Sequence, residues 1–265
     1  MPTIRPLATL LTLLVAAAAA AQPSDEGKGC AAPWGGWRNR EQVCEVRELT
    51  LRPSGKLTVD ASPNGGISVV GANRRDVLVR AVVRAWAASE DDARAVLEEI
   101  VVRDDAPIRA QGPSQSNRKG WSVSYEIEAP RNTDLDLDTT NGGLSIKSVR
   151  GDMDFATTNG GIRLDGVAGN VRARTTNGGV DVTLTGNKWD GDALDLRTTN
   201  GGVRMRVPED YSARLETRTV NGGLHVDFPV TVQGRIGHEM STTLGKGGAL
   251  VRAETTNGGV HVSRY

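Results

Sequence analysis

The sequence predicts an all-β fold in which one chain winds as a single-stranded parallel β-helix, that is, a β-solenoid. Three observations lead to this prediction. Aromatic residues make up only 4% of the chain while glycines number 32, which argues against a core built on aromatic side chains. The residues around a recurring tripeptide alternate between apolar and polar. The tripeptide, Asn-Gly-Gly, occurs seven times, beginning at Asn64, Asn141, Asn159, Asn177, Asn200, Asn221 and Asn257.

The alternation around each tripeptide is that of β-strands, whose side chains point in turn to opposite faces. Leu135 and Leu137 precede Asn141 at even distances. Leu144 and Ile146 follow it at odd distances. This change of parity requires the chain to turn a corner across the two glycines, and glycine permits the positive φ that we expect such a corner to need. A second turn signal lies about halfway between repeats, so each repeat is predicted as two strands and two corners.

Two architectures fit repeats of this kind. Asn-Gly could close two-residue hairpins, giving an antiparallel meander, sandwich or barrel. Alternatively, every repeat is one coil of a parallel solenoid, stacked on the previous coil at about 4.8 Å. Thr-Thr precedes five of the seven tripeptides. A coil places each threonine and asparagine over its own copy, where their side chains can form ladders, whereas a hairpin gives no reason for Thr-Thr to recur. The repeats therefore favour the solenoid.

The amino terminus has the pattern of a secretory signal peptide over residues 1–21. One cation, Arg5, precedes an apolar stretch from Leu7 to Ala20, and small residues come just before Gln22. A retained membrane anchor is the alternative, but no cationic stop-transfer cluster follows, and no other stretch is apolar enough to span a bilayer. We therefore expect signal cleavage, no transmembrane segment afterwards, and a periplasmic or extracellular location.

Cys30 and Cys44 are the two cysteines of the chain. In an exported protein such a pair is best explained as one disulfide, which would close a loop that contains Trp34 and Trp37. A redox-active pair would need closer spacing, such as Cys-x-x-Cys. We therefore predict an amino-terminal disulfide loop over residues 22–44.

The remaining residues, 45–265, are predicted to form one solenoid domain, in which residues 45–130 are divergent coils and residues 131–265 carry the regular repeats. One helix at about residues 89–100 interrupts the divergent coils. Ser89 is its predicted N-cap, an acidic residue follows three positions later, and apolar residues then recur at helical spacing. We expect this helix to cover the open first coil, because exposed strand edges invite aggregation.

The repeats also resemble a known family. Thr-Thr-Asn-Gly-Gly, followed by an aliphatic-x-aliphatic triplet and a Gly-x-Val-type turn, is similar to the bacterial putative-adhesin family of β-strand-repeat domains of unknown function. The segment from Tyr125 to Pro130 resembles that family's lead-in strand, and the resemblance covers about residues 45–265. It implies a right-handed parallel β-helix and says nothing about activity.

A column of arginines is the candidate ligand site. Arg174, Arg197 and Arg218 each lie three residues before an asparagine, so we expect them to stack in neighbouring coils. With Arg172 on an adjoining column, they would form a basic strip for an anionic ligand such as a glycan. Acidic residues such as Asp195 lie close by, so a neutralised surface is the other interpretation. Aromatic side chains for base stacking are missing, and nucleic acid is therefore not expected.

We predict no catalytic residue, cofactor or metal ligand elsewhere. His225 and His261 occupy an outward position that other repeats fill with Ser, Arg or Asp, which indicates solvated surface. Asp134, Asp136 and Asp138 alternate with leucines, so a strand explains their spacing better than a calcium loop. The sequence contains no Gly-x-Ser-x-Gly, His-Glu-x-x-His or phosphate-binding glycine loop.

These observations predict an exported, non-enzymatic β-solenoid, an adhesin-like scaffold or binding module of the bacterial envelope. Its partner is unknown from sequence, and a glycan or another envelope component is the candidate class. Lys and Arg together number 32, as do Asp and Glu, so no strongly basic or acidic partner is implied. The alternative is a carbohydrate-active β-helix enzyme, a polysaccharide lyase or hydrolase, although the repeats offer only short loops from which to build a cleft.

Overall fold

The computed structural model of the chain describes residues 29–30, 40–53, 55–228 and 237–265. The predicted signal peptide, residues 1–21, lies outside these residues, as do Trp34 and Trp37. In the described part the protein is all-β, with twenty strands and one helix. Inward side chains of the strands are buried and outward ones are not, as the period-two pattern of the sequence requires.

The amino-terminal part of the described chain contains seven strands and the helix. These elements are β1 (Glu41–Leu51), β2 (Leu57–Asp60), β3 (Ile67–Ala72), β4 (Val77–Ala87), α1 (Glu90–Glu98), β5 (Val101–Arg103), β6 (Ile108–Gln111) and β7 (Gly120–Pro130). The helix begins where the sequence predicts, because the Ser89 side chain accepts a hydrogen bond from the Asp92 amide and acidic residues fill the first turn.

The carboxy-terminal part contains six strand pairs, each flanking an Asn-Gly-Gly corner, and one further strand, β18. These strands are β8 (Leu135–Asn141), β9 (Leu144–Lys147), β10 (Arg150–Asn159), β11 (Ile162–Asp165), β12 (Ala168–Asn177), β13 (Val180–Thr183), β14 (Ala193–Asn200), β15 (Val203–Val207), β16 (Ala213–Asn221), β17 (Leu224–Val226), β18 (Glu239–Leu244), β19 (Leu250–Asn257) and β20 (Val260–Arg264). Each pair contributes one strand to each of two sheets.

The two sheets have ten strands each and share one hydrophobic core. Sheet A has the order β1-β4-β7-β3-β9-β11-β13-β15-β20-β17, and sheet B has the order β18-β16-β19-β14-β12-β10-β8-β2-β6-β5. Pairings between successive coils are parallel, as in β8–β10, β10–β12 and β12–β14. Four pairings are antiparallel, namely β1–β4, β4–β7, β5–β6 and β16–β18, so both sheets are mixed.

The coils do not stack in chain order at either end. The coil β19–β20 lies between β14–β15 and β16–β17. At the other end, the coil β2–β3 lies between β8–β9 and the coil formed by β6 and β7. The expectation that every coil stacks on the previous one is therefore wrong at both ends. Because β18 pairs with the outer edge of β16, only the inner edge of β16 remains for β19.

Helix α1 packs against β4 and β1, with Ala93 and Val96 buried. From β1, Arg47 donates hydrogen bonds to the carbonyl oxygens of Leu97 and Ile100 and so ties the end of the helix to the sheet. The helix therefore covers strands beyond the stack rather than the first coil, β2–β3, which is enclosed by neighbouring coils. Among the described residues no helix is long and apolar enough to cross a bilayer.

The predicted disulfide joins Cys30 to Cys44, with their Cα atoms 5.9 Å apart. Cys44 lies on β1, directly opposite Arg84 of β4. The bond therefore attaches the amino-terminal segment to sheet A. The domain boundaries at residues 22–44 and 45–265 stay a prediction, and β1 itself begins at Glu41.

Candidate functional site

A buried threonine holds each repeated corner together. The threonine two residues before an asparagine of the repeat faces inward, and its hydroxyl donates to the carbonyl oxygen of the first glycine in the neighbouring coil. Thr175, only 5% exposed, donates to Gly160 over 2.8 Å. The contact recurs over 2.7 to 2.9 Å in Thr139–Gly65, Thr157–Gly142, Thr198–Gly178, Thr219–Gly258 and Thr255–Gly201. A β-branched residue suits the strand, and its hydroxyl satisfies a carbonyl that faces the core.

The seven asparagine side chains form one continuous ladder. In each step, Nδ2 of one asparagine donates to Oδ1 of the next over 2.7 to 3.1 Å. Along the stack the order is Asn64, Asn141, Asn159, Asn177, Asn200, Asn257 and Asn221. All amides point the same way, and Asn64 continues the ladder by donating to Gln115 Oε1 over 3.2 Å. The ladder therefore follows the spatial order of the coils, not their order in the sequence.

The two glycines of each corner differ in how much space they have. A Cβ at Gly160 would lie 1.9 Å from the carbonyl oxygen of Gly142, whereas a Cβ at Gly161 would lie 3.3 Å from that of Gly179. The first glycine is thus required by the close approach of the neighbouring backbone. At Gly142, Gly160 and Gly178 φ lies outside the left-handed region, so the positive φ expected from the sequence is wrong for these corners.

Outward side chains beside the corners line a groove of about 460 Å³, here called the sheet-B groove. Two columns form most of its lining. One column is the second residue of Thr-Thr, and the other lies three residues before each asparagine. The first column contains Thr176, Thr199, Thr256 and Val220, and the second contains Arg174, Arg197, Glu254 and Arg218. A polar, elongated groove therefore runs across neighbouring coils.

The order of the arginines in the structure differs from the predicted strip. Arg174 lies opposite Arg197, but Arg197 lies opposite Glu254, which in turn lies opposite Arg218. The expected unbroken stack of three arginines is therefore wrong, because the inserted strand β19 places a carboxylate between two of them. Arg172 is outside the lining of the sheet-B groove.

The three guanidinium groups of the groove differ in their ion pairs. Arg174 lies 2.8 Å from Asp154, and Arg197 lies 3.1 Å from Asp195. The hydrogen bond to Asp195 raises the pKa of Arg197. Arg218 makes no ion pair with any residue in the described part of the chain. Its guanidinium is thus the cation of this groove that is available to an anionic ligand.

Farther along sheet B, carboxylates replace the guanidinium groups. Asp60 of β2 lies opposite Asp138 of β8, and Asp136 lies opposite Asp154. Burial and the neighbouring carboxylates raise the pKa of Asp138. Asp134 directly precedes β8, and Asp136 and Asp138 alternate with leucines along this strand. In the column that contains Arg174 and Arg197, carboxylates therefore occupy β2 and β8.

Sheet A has a second groove, of about 430 Å³, on the other side of the corners. Its lining includes Ser68, Ser124 and Ser145 together with the backbone of the glycine corners. Tyr125 also contributes, and its buried hydroxyl has no hydrogen-bond partner among the described residues. Burial raises the pKa of Tyr125, which keeps the phenol neutral.

The two histidines expected on solvated surface lie side by side. Their rings stack with centroids 4.6 Å apart and planes 7° from parallel. His225 Nε2 lies 2.7 Å from Asp227 Oδ1. One ligand atom from each of His225, His261 and Asp227 lies within 4.8 Å of the others. Asp227 was not among the residues predicted from the sequence; its signal was its position two residues after His225, which places both side chains on the same face.

Stacked coils with hydrogen-bonded corners define this chain as a β-solenoid-like repeat protein. The family described as Toastrack DUF4097 matches residues 113–263. The chain belongs to that family, whose function is unknown.

Three solved bacterial structures are distantly similar to this chain. A putative cell adhesion protein from Clostridium sporogenes is 12% identical, with 85% of this chain and 100% of that chain covered and a TM-score of 0.49. A putative adhesin from Bacteroides fragilis is 11% identical, with 83% and 97% covered and a TM-score of 0.29. A putative lipid binding protein from Parabacteroides distasonis is 7% identical, with 84% and 96% covered and a TM-score of 0.30. No curated protein matches the chain.

Proposed function

We propose that the chain is an exported, adhesin-like binding module of the cell envelope that recognises an anionic glycan through the sheet-B groove. One observation carries this proposal: threonine hydroxyls and guanidinium groups line the same elongated groove. Hydroxyls exchange hydrogen bonds with sugar hydroxyls, and a guanidinium pairs with carboxylate, sulfate or phosphate in two-point geometry. Arg218, which has no ion pair among the described residues, is the principal anion contact.

Stiffness and export are the other parts of the proposal. The asparagine ladder and the threonine contacts fix each coil to its neighbours, which supports a scaffold that holds the groove rigid. The Cys30–Cys44 disulfide supports export, because disulfides persist in oxidising compartments. The signal peptide over residues 1–21 and the right-handed winding implied by the resemblance stay predictions.

The sheet-B groove supports binding better than bond cleavage. Most glycosidases use two carboxyl groups on either side of the scissile bond. The lining of this groove offers one carboxylate, Glu254, which lies 3.5 Å from Arg197. Depolymerisation of an acidic polysaccharide by the purified protein, lost on Asp195→Asn or Arg197→Ala substitution, would favour the carbohydrate-active enzyme instead.

The test is equilibrium binding to polysaccharides with and without carboxylate or sulfate groups. We expect the anionic polymers to bind and the neutral ones not to bind. Arg218→Ala should weaken binding about tenfold, because it removes a charge-assisted contact. Arg172→Ala is the matched control on the same sheet outside the groove and should change binding less than about twofold. Equal binding to neutral polymers, or equal effects of the two substitutions, would refute the proposal.

A further inference from the structure

The carboxy-terminal edge of sheet A places three metal-ligating side chains together. Strand β17 is the last strand of the sheet, and its His225 lies directly opposite His261 of β20. Asp227 follows by two residues, so its side chain points to the same outer face. Its backbone amide donates to the Val262 carbonyl oxygen over 2.9 Å, which fixes the position of its Cα.

We infer that His225, His261 and Asp227 form a binding site for a divalent transition-metal ion such as Zn²⁺. Two imidazoles and one carboxylate are a donor set that Zn²⁺ uses with one position left open. Imidazole also suits Ni²⁺ and Cu²⁺, whereas Mg²⁺ and Ca²⁺ prefer oxygen ligands. The site therefore selects against the two abundant hard cations.

The present side-chain positions need only a small adjustment. Ligand atoms around a tetrahedral Zn²⁺ lie about 3.4 Å apart, given metal–ligand distances of about 2.1 Å. The candidate ligand atoms already lie within 4.8 Å of one another, and His225 Nε2 lies 2.7 Å from Asp227 Oδ1. The side chain of His225 is 64% exposed, and its ring packs on His261, the other proposed ligand, so both rings can adjust together. A bound ion would replace the contact between His225 and Asp227, and the His261 ring would move toward the ion.

Neighbouring charges permit a cation here. Arg204 of β15 is the other neighbour of His261, and its guanidinium lies 3.7 Å from Asp181, which partly neutralises it. The insertion of β20 between β15 and β17 separates Arg204 from His225 by one strand. Asp227 supplies the negative charge that offsets the ion.

A bound ion would fasten the edge of the sheet. Strand β17 has only three residues and pairs on one side, with β20. A metal held by both strands links them through side chains as well as backbone. This inference is independent of the proposed glycan groove, which lies on sheet B.

Titration calorimetry of the untagged, chelator-treated protein with Zn²⁺, Ni²⁺ and Mg²⁺ near pH 7.5 tests the site. We expect one equivalent of Zn²⁺ to bind and Mg²⁺ not to bind. His225→Ala and His261→Ala should each weaken Zn²⁺ binding at least about tenfold, with a smaller effect for Asp227→Asn. His238→Ala, which changes a histidine outside this cluster, should leave binding unchanged.

One further measurement separates a metal site from a structural effect. Zn²⁺ should slow hydrogen exchange of the β17 amides in the wild type but not in His261→Ala. The inference is wrong if Zn²⁺ shows no saturable binding, if the three ligand variants bind as the wild type does, or if His238→Ala abolishes binding.

Discussion

Two buried threonines of sheet B differ in what their hydroxyls contact. Thr175 donates to the carbonyl oxygen of Gly160, whereas Thr217 Oγ1 has no hydrogen-bond partner among the described residues. Thr217 lies in a column that is otherwise apolar, with Ala253 as its neighbour. The same residue type therefore stabilises one coil and destabilises another.

Replacing each of these threonines by valine should change stability in opposite directions. Thr175→Val should lower the free energy of unfolding by about 1–2 kcal/mol, because it leaves a carbonyl without its donor. Thr217→Val should raise it by about 1 kcal/mol, because it removes a buried hydroxyl that has no partner. Thr176→Val, at the exposed neighbouring position, is the control and should stay within about 0.5 kcal/mol. Urea unfolding measures all three, and the same sign for the first two would contradict the assignment.

The two glycines of one corner should respond differently to alanine. Gly160→Ala places a methyl group 1.9 Å from a backbone oxygen that cannot move without separating the coils, so we expect a loss of about 3 kcal/mol or more, or failure to fold. Gly161→Ala meets its nearest atom at 3.3 Å and should cost much less. Thermal unfolding of the two variants compares them, and equal losses would show that close approach is not the reason for the first glycine.

The raised pKa of Asp138 predicts a pH-dependent gain on Asp138→Asn substitution. The folded protein holds the Asp138 proton more tightly than the unfolded chain does, so ionisation of Asp138 destabilises the fold as pH rises above its ordinary value of 3.8. The variant should therefore melt at a higher temperature near pH 7. This gain should disappear below pH 3.8, where the carboxyl is protonated in both states. A variant less stable than the wild type at pH 7 would contradict the burial and repulsion described here.

At the scale of the elements, the asparagine ladder predicts a specific failure of additivity. Asn159→Ala and Asn177→Ala each break two ladder hydrogen bonds, but they share one. Each single loss should cost about 1–2 kcal/mol, and the double variant should cost less than their sum by about 0.5–1 kcal/mol. Asn159→Ala combined with Asn200→Ala is the control, because these two asparagines share no bond. Additive losses in both pairs would mean that the hydrogen bond between Asn177 and Asn159 contributes no free energy.

Strands and corners were predictable because each depends on local pattern. Period-two alternation predicted the buried positions Leu135 and Leu137 of β8 and Leu144 and Ile146 of β9, and Ser89 marked the start of α1. The strands β5, β6 and β18 were missed because, unlike the equally short β9 and β17, they flank no Asn-Gly-Gly tripeptide, so no repeat marks their alternation. The antiparallel pairings were missed for a different reason: a strand's own sequence does not state the direction of its neighbour.

The candidate site was predictable only in part. Column positions placed Arg174 and Arg197 side by side, because residues at equal distance from the asparagine share a column. The position of Glu254 between Arg197 and Arg218 depends on the order in which the coils stack. The repeats are so similar that their sequences do not reveal this order. For the same reason, the sequence did not reveal that His261 lies between Arg204 and His225.

At the scale of the molecule, the order of coils predicts an unusual response to truncation. A chain ending at Gly248 would retain β16 to β18 but lack the coil that joins them to β14–β15. A chain ending at Val207 would keep an unbroken stack with one free edge. We expect the longer chain to be the less stable and the more prone to aggregation, because its gap exposes two coil faces instead of one. Circular dichroism and light scattering compare the two; a more stable longer chain would contradict the coil order.

The inserted coil, β19–β20, joins two coils that precede it in the chain. Most repeat solenoids can lengthen by adding units at a growing tip, but here a space between two finished units is filled by residues synthesised after both. Until those residues arrive, β14–β15 and β16–β17 each have an unsatisfied side. The gap between these two coils therefore closes only when β19–β20 folds. A chain that lacks β19–β20 differs from one that has it in its exposed strand edges as well as in its length.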